Sequence, residues 1–324
     1  MKKKKVIFGL FLIILISIVF IVWDNHRFIV VEQDIFMKDL PKSIENFRIL
    51  QISDLHEKEF GSSQSKLVNK INGLDYDAIV FTGDMLDHPE SENVDSLYQL
   101  LEGIKNKENA WFVPGNTDPN SYQFEGELQK GEFIQGMEAR GVYLLETSAK
   151  IEMGGNAVHF VNFELSITKN PEQQIAGVIY PSYQFEPWYV YYIRDQWSTL
   201  QETYKTIVDK DIVIALNHYP VPDPRINFIQ NDPATKWRDF DLIIAGHYHG
   251  GQIRIPIIGA IFIPDPWYRR NGLFPPLDRV KGLWEYQGTK QYVSTGLGSS
   301  DALPLLKFRL FNTPEINLLT LKGK

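Results

Sequence analysis

Apolar and polar positions alternate along this chain in two rhythms. Strand-like runs at 47–53, 77–82 and 110–113, apolar for the most part, alternate with stretches whose apolar residues fall three and four apart. Leu67, Val68 and Ile71 mark the first such stretch, 65–74, and Leu97, Leu100, Leu101 and Ile104 the second, 94–104. The runs predict strands buried on both faces, and the spaced positions predict helices with one apolar face. Their alternation predicts βαβ units around a largely parallel sheet. A strand is expected at 28–36, a polar turn at 38–46 and a helix over 125–140. Past residue 140 the strands shorten, to 142–145, 149–153 and 157–162. The last two meet at Gly154-Gly155-Asn156, a hairpin signal. A helix is expected over 196–208, before the apolar runs that end at Leu216 and Ala245. Beyond Gln252 the chain reads as loops and strands, the clearest strands at 291–295 and 315–322.

The N-terminus follows neither rhythm. Lys2 to Lys5 precede an apolar stretch over 6–23 that carries no charge. A membrane-spanning helix needs about 20 such residues, whereas a cleaved signal has a core of roughly 7–15 and a small-residue cleavage site. Asp24-Asn25-His26-Arg27 follows instead, so the expectation is one uncleaved transmembrane helix. The lysines should stay cytoplasmic and the rest of the chain should lie outside the membrane. This divides the chain into 1–27, holding the lysines, anchor and short linker, and 28–324, one large domain.

Composition narrows the chemistry. The chain has no cysteine, which excludes disulfides, thiolate metal sites and a cysteine nucleophile. The formal net charge of −7 includes the four leading lysines, so the domain alone is more acidic still. That counts against nucleic acid as a partner, because such binding needs a basic footprint. A metal-dependent nuclease stays open as an alternative.

The candidate chemistry sits where apolar runs stop. Asp54 and His56 follow 49–52, Asp84 follows 78–81 and Asn116 follows 111–113. His218 follows 212–216, and His247 and His249 follow 242–245. Ligands bind at the carboxyl ends of strands in open α/β sheets. Carboxylate, amide oxygen and imidazole suit a hard or borderline divalent metal. One shared carboxylate plus about three further ligands per metal would hold two ions.

The blocks Asp54-Leu55-His56, Gly83-Asp84-Met85-Leu86-Asp87, Gly115-Asn116, Asn217-His218 and Gly246-His247-Tyr248-His249, in that order, resemble the calcineurin-like metallophosphoesterase superfamily. Gly250-Gly251-Gln252, Ser294-Thr295-Gly296-Leu297-Gly298 and Pro314-Glu315-Ile316 look like its bacterial membrane-anchored branch. The resemblance covers 47 to the C-terminus. It implies a four-layer α/β/β/α sandwich and a hydrolase acting on a phosphoester or diphosphate; the anchor, which confines the site to the membrane surface, points to a lipid-linked or membrane-proximal substrate. It implies one metal on Asp54, His56 and His249, a second on Asn116, His218 and His247, and Asp84 between them. Manganese, iron or zinc would suit these donors. Asn116 and His218 would also place a phosphate oxygen, and Asp87 would orient a neighbour unless it caps a helix.

One position departs from the family pattern. The superfamily usually has a histidine after Gly-Asn as proton donor to the leaving group, and here Thr117-Asp118 follows. Either the leaving group is good, or another residue such as Asp118 or His88 donates the proton, or the protein is a weakened or binding-only homologue. Arg269 and Arg309 are candidates for contact with a substrate phosphate, with plain solvation as the simpler reading. The aromatic stretch 180–197 is either a flap packed on the sheet or a lid that touches lipid or sugar. His26, His88 and His159 lack metal-site company and read as ordinary residues.

Overall fold

The computed structural model describes residues 2–300 and 306–324. Strands with alternating apolar faces place side chains on both sides of a sheet, and here two such sheets stack. The first runs in the order Ile29–Met37, Glu315–Gly323, Arg48–Ile52, Ala78–Phe81, Ala110–Phe112, Tyr143–Leu144. The second runs Gly282–Tyr286, Thr289–Val293, Leu242–Ala245, Ile212–Leu216, Asn156–Asn162, Ser148–Met153. Ile49 and Val80 of the first sheet meet Ile212, Ile214, Leu216 and Ile244 of the second in a shared core. The alternate residues face outward. Leu50, Ile52, Ile79 and Phe81 pack under the helices Ser65–Ile71, Asp95–Gly103 and Glu132–Glu138. Val213, Ala215 and Ile243 pack under Phe163–Ile167, Pro187–Thr206 and Asp223–Asn231. The result is the expected α/β/β/α order of layers.

The strands that end at candidate ligands run parallel to their neighbours: Arg48–Ile52 to Ala78–Phe81 and on to Ala110–Phe112, and Ile212–Leu216 to Leu242–Ala245. Their carboxyl ends therefore emerge on one edge of the sandwich. In the first sheet the antiparallel pair is the interior one of Glu315–Gly323 with Arg48–Ile52, while both edges of the second sheet carry antiparallel pairs, among them the predicted hairpin. There Met153 pairs Asn156 across Gly154 and Gly155, both at positive φ, as a two-residue primed turn requires.

Two expectations change. Residues 125–140 are not one helix: Tyr122–Phe124 and Leu128–Lys130 form a small hairpin, turned at Gly126 with φ 86°, and the helix starts only at Glu132. The helix expected from 196 begins earlier, at Pro187, whose fixed φ suits a first helical position. The aromatic stretch 180–197 thus supplies the helix's first half.

The N-terminal helix Lys2–Asn25 is long and apolar enough to cross a membrane, and none of its apolar window is buried. Its C-terminal end, from Phe20 to Asn25, touches the domain. Asn25 Nδ2 donates to the Arg309 carbonyl, 2.8 Å, and Asn25 Oδ1 accepts from Arg309 N–H, 2.7 Å. Phe20 lies against Phe311 with ring centroids 6.0 Å apart.

A candidate dinuclear metal centre

Each ligand-bearing turn begins where an apolar strand runs out, and the turns share an uncommon backbone. Asp54, His56, Asp84, His247 and His249 all lie in the left-handed region, with φ between 47° and 66°. Asp and His tolerate that region better than most side chains, yet each instance costs of order 1–3 kcal/mol and persists only where the surroundings enforce it. Two glycines let the turns close. A Cβ on Gly115 would fall 2.2 Å from Asp84 Oδ1, and one on Gly246 would fall 2.5 Å from Asp54 Oδ2.

The turns bring the side chains into two groups that share one carboxylate. Asp54, His56, Asp84 and His249 offer ligand atoms within 4.8 Å of one another, as do Asp84, His218 and His247. Asp84 Oδ2 lies 3.6 Å from His56 Nε2 and 3.3 Å from His218 Nε2. His249 Nε2 is 3.6 Å from Asp54 Oδ1. Asn116 projects from the neighbouring turn and lines the same cavity as Asp84, His247 and His249.

The donor set fits a pair of cations. His56 Nε2 faces His249 Nε2 at 3.3 Å, and His218 Nε2 faces His247 Nδ1 at 3.1 Å. Ligand atoms about 2.0–2.2 Å from one ion lie roughly 3–3.6 Å apart, which is the spacing seen here. The opposite ring nitrogens are held by carbonyls. His218 Nδ1 is 2.7 Å from the Thr82 oxygen and His247 Nε2 is 3.2 Å from that of Pro264. Each ring thereby turns a lone pair toward the cluster. His56 Nδ1 is 3.4 Å from Asp87 Oδ1.

Burial and mutual charge split the group's protonation. Burial drives Asp54 up to about 6. Burial also disfavours charge on His218, yet Asp84 raises it to about 9 and is itself held well below the usual carboxylate range. Burial and His218 push His247 down to about 3, and burial with His56 holds His249 well below its ordinary value.

The further expected site residues have these surroundings. Asp118 was a candidate proton donor, but its carboxylate accepts from the N–H groups of Asp84, Gly115 and Met85, each at 2.8 Å. It ties the Asp84 and Asn116 turns together. Arg309 was a candidate substrate contact, but it is 1% exposed. Its guanidinium donates to the carbonyls of Gly298 and Thr295, and one nitrogen is 3.4 Å from His249 Nδ1. Burial lowers the guanidinium to about 10, so it stays charged at neutral pH while it donates to those carbonyls. Arg269 is exposed and lines neither cavity beside the cluster. Asp87 caps no helix; it lies between His56 and Lys307 Nζ, which is 2.5 Å from its Oδ2. At the departing position, Thr117 Oγ1 donates to the Leu86 carbonyl at 2.6 Å, and Thr117 N–H donates to Asp84 Oδ1 at 2.9 Å.

The cluster opens onto two cavities that meet at Asn116. One, about 550 Å³, is lined by Asn116, Glu146, Glu164 and Tyr219 and by Tyr180, Tyr183 and Tyr189 of the aromatic stretch. The other, about 170 Å³, is walled by Ile253, Ile261, Phe262 and Leu306 beside His247 and His249. The stretch 180–197 packs on two different surfaces of the domain. Trp197 packs on the outer face of the second sheet, while Trp188 stacks on Phe124 of the small hairpin, centroids 5.6 Å apart. Tyr122 and Tyr192 both donate to Glu146 Oε1. Sequence reasoning did not find Tyr219, whose ring lies 4.6 Å from that of His247, nor the carbonyls of Thr82 and Pro264. Tyr219 adjoins His218 and could have been flagged; a carbonyl carries no mark in the sequence. Of the other histidines, His159 pairs with Asp211 at 3.2 Å and His26 bonds the Val22 carbonyl.

A two-sheet sandwich with carboxylates and imidazoles gathered at its strand ends defines a phosphoesterase architecture. Residues 47–251 match the calcineurin-like phosphoesterase family, and the chain belongs to it. It is 25% identical to the uncharacterized metallophosphoesterase YkuE of Bacillus subtilis, over 93% of this chain and 87% of that one. It is 24% identical to the UDP-2,3-diacylglucosamine pyrophosphatase LpxG of Chlamydia muridarum, over 86% of each. It is 23% identical to a transmembrane protein with metallophosphoesterase domain from Danio rerio, over 90% of this chain and 57% of that one.

Proposed function

We propose that this chain hydrolyses a phosphoester or diphosphate bond with two divalent metals, on a lipid-linked or membrane-proximal substrate. One observation carries the reading: Asp84 belongs at once to both ligand groups, as a bridging carboxylate must. Asp54, His56 and His249 would hold one ion, and Asn116, His218 and His247 the other. Manganese, iron or zinc suits this mixed set. Such a pair, when bound, supplies positive charge to the phosphoryl oxygens and an acidified water as nucleophile.

The protein's own groups then have defined tasks. Asn116, at the junction of both cavities, orients a phosphoryl oxygen through its amide, with His218 beside it. The Thr82 and Pro264 carbonyls fix the tautomers of His218 and His247. Asp118 keeps the turns of Asp84 and Asn116 at a constant separation. Thr117 cannot protonate a leaving group, since its hydroxyl is held by Leu86 and is not acidic at neutral pH. That favours a leaving group of low basicity, such as the phosphate half of a diphosphate. The relative LpxG carries the name of a diacylated sugar-nucleotide pyrophosphatase, which supports a diphosphate and an acylated substrate here. The apolar wall of the smaller cavity supports the same choice.

In this reading 1–27 is an anchor, Lys2 to Lys5 remain cytoplasmic, and 28–324 is the catalytic domain outside the membrane. The test is the purified full chain loaded with manganese and given phosphomonoesters, phosphodiesters and nucleotide-sugar diphosphates. The expected result is diphosphate cleavage that a chelator abolishes and manganese restores. A metal-loaded protein that turns over none of them would be a binding-only homologue. Cleavage of DNA or RNA in place of these substrates would make it a nuclease.

A further inference from the structure

The apolar surface of this molecule does not stop at the N-terminal helix. The strands Arg254–Ile255 and Gly259–Ala260 form a small hairpin that projects Ile255, Ile257 and Ile258 into solvent. Ile257, at its tip, is 100% exposed and has φ 72°. A β-branched side chain is an outlier in that region, and full exposure to water adds a second cost. Beside the hairpin lies a loop with Leu273, Phe274 and Leu277, of which Phe274 is 54% and Leu277 57% exposed. The two are bonded together: Phe274 N–H donates to the Ile261 carbonyl, and Ile263 N–H donates to that of Gly272.

This patch is continuous with the helix. Arg254 N–H donates to the Leu310 carbonyl and Leu310 N–H to that of Gln252, so the hairpin pairs with the segment that ends in exposed Phe311. Phe311 lies against Phe20 of the helix. Trp23 follows on the last turn with the Arg27 guanidinium 4.3 Å from its ring, a pairing suited to the boundary between hydrocarbon and water. Arg269 and Arg270, both exposed, immediately precede the Leu273–Phe274 loop, where cations would meet lipid phosphates. A contiguous exposed apolar patch of this kind marks an interaction surface, and its continuity with the helix selects the occupant.

We infer that the hairpin tip at Ile257 and the loop at Phe274 insert into the same bilayer that receives the N-terminal helix, so that the domain sits on the membrane at two points. This rests on the reading of that helix as an anchor. Seating at two points fixes the domain's tilt and holds the smaller cavity close to the lipid surface, because Ile253 and Ile261 of its wall flank the hairpin strands.

The absence of cysteine allows a direct test. The full chain, with spin labels placed singly through Ile257→Cys, Phe274→Cys, Ile13→Cys or Lys210→Cys, is reconstituted into phosphatidylethanolamine–phosphatidylglycerol vesicles. Collision with oxygen, which enters hydrocarbon, is compared with collision with a nickel chelate, which does not. The expected oxygen-to-nickel ratio at 257 and 274 resembles that at 13 and exceeds that at 210 several-fold. Ratios at 257 and 274 equal to that at 210, with 13 still in hydrocarbon, would overturn the insertion and leave the anchor intact. A water-exposed label at 13 would overturn the anchor and the insertion together. Dipolar broadening between labels at 257 would place a second copy on the patch and also overturn the proposal.

Discussion

The turns that carry the metal ligands and the collar that surrounds them are built in opposite ways. Asp54, His56, Asp84, His218 and His249 are almost fully buried, and their turns are short, bonded through main chain and in part left-handed. The collar is made of the hairpin at 122–130, the aromatic stretch at 180–197 and the apolar loops at 254–277, with large side chains left in solvent. The contrast separates two functions. Chemistry is fixed by strand ends that the double sheet cannot move without losing its core. In the function proposed above, recognition of substrate and membrane would fall to connections that can differ without disturbing that core.

Asp84→Asn bears hardest on this division. It removes the one charge shared by both ligand groups, and we expect turnover to fall by more than about 10³-fold, at least the loss seen when one transition-state donor is deleted. The same fold and thermal unfolding should persist. The Thr117 turn lies on the border between the two regions. Thr117→His should raise cleavage of esters with basic leaving groups, with general acid catalysis setting a range of about 10²–10⁴-fold, and should barely change aryl phosphodiesters. Unchanged rates on alkyl esters would mean that a proton donor is already present.

Asp118→Ala asks whether the rigid side is held as described. It strands the N–H groups of Asp84, Gly115 and Met85, and unfolding in urea should show a loss of about 2–4 kcal/mol. The smallest effect is expected far from the site. Asp211 is partly desolvated, but hydrogen bonds from Val208 N–H, His159 and Ala157 N–H hold it below its ordinary value. Its contribution is therefore complete above the ordinary carboxylate pKa and is lost as pH falls through the lowered one. Asp211→Asn should cost roughly 1 kcal/mol near neutrality and flatten that acid limb, with no change in metal content.

The same division explains what could be read from the sequence. The strands at 47–53, 77–82 and 110–113 are legible because a doubly covered strand must be largely apolar, and ligands at their ends inherit that clarity. Thr117 was visible because it breaks a motif. The collar resisted reading for local reasons. Gly126 turns a stretch that otherwise has helical spacing, and Pro187 opens a helix inside an aromatic run whose periodicity points to no single face. The hairpin at 254–260 has strands of two residues, too short for any period. Arg309 and Asp118 looked available for substrate because a charge in a loop usually faces water. Only three-dimensional closure shows which carbonyls and N–H groups they must satisfy. The position of Glu315–Gly323 between Ile29–Met37 and Arg48–Ile52 depends equally on contacts remote in sequence.

Anomalous diffraction from crystals of the manganese-loaded full chain tests the centre most directly. The expected result is two peaks about 3.5–4 Å apart, both within bonding reach of Asp84, one among Asp54, His56 and His249 and the other among His218, His247 and Asn116. A single peak, or none at saturating manganese, would contradict a dinuclear centre bridged by Asp84.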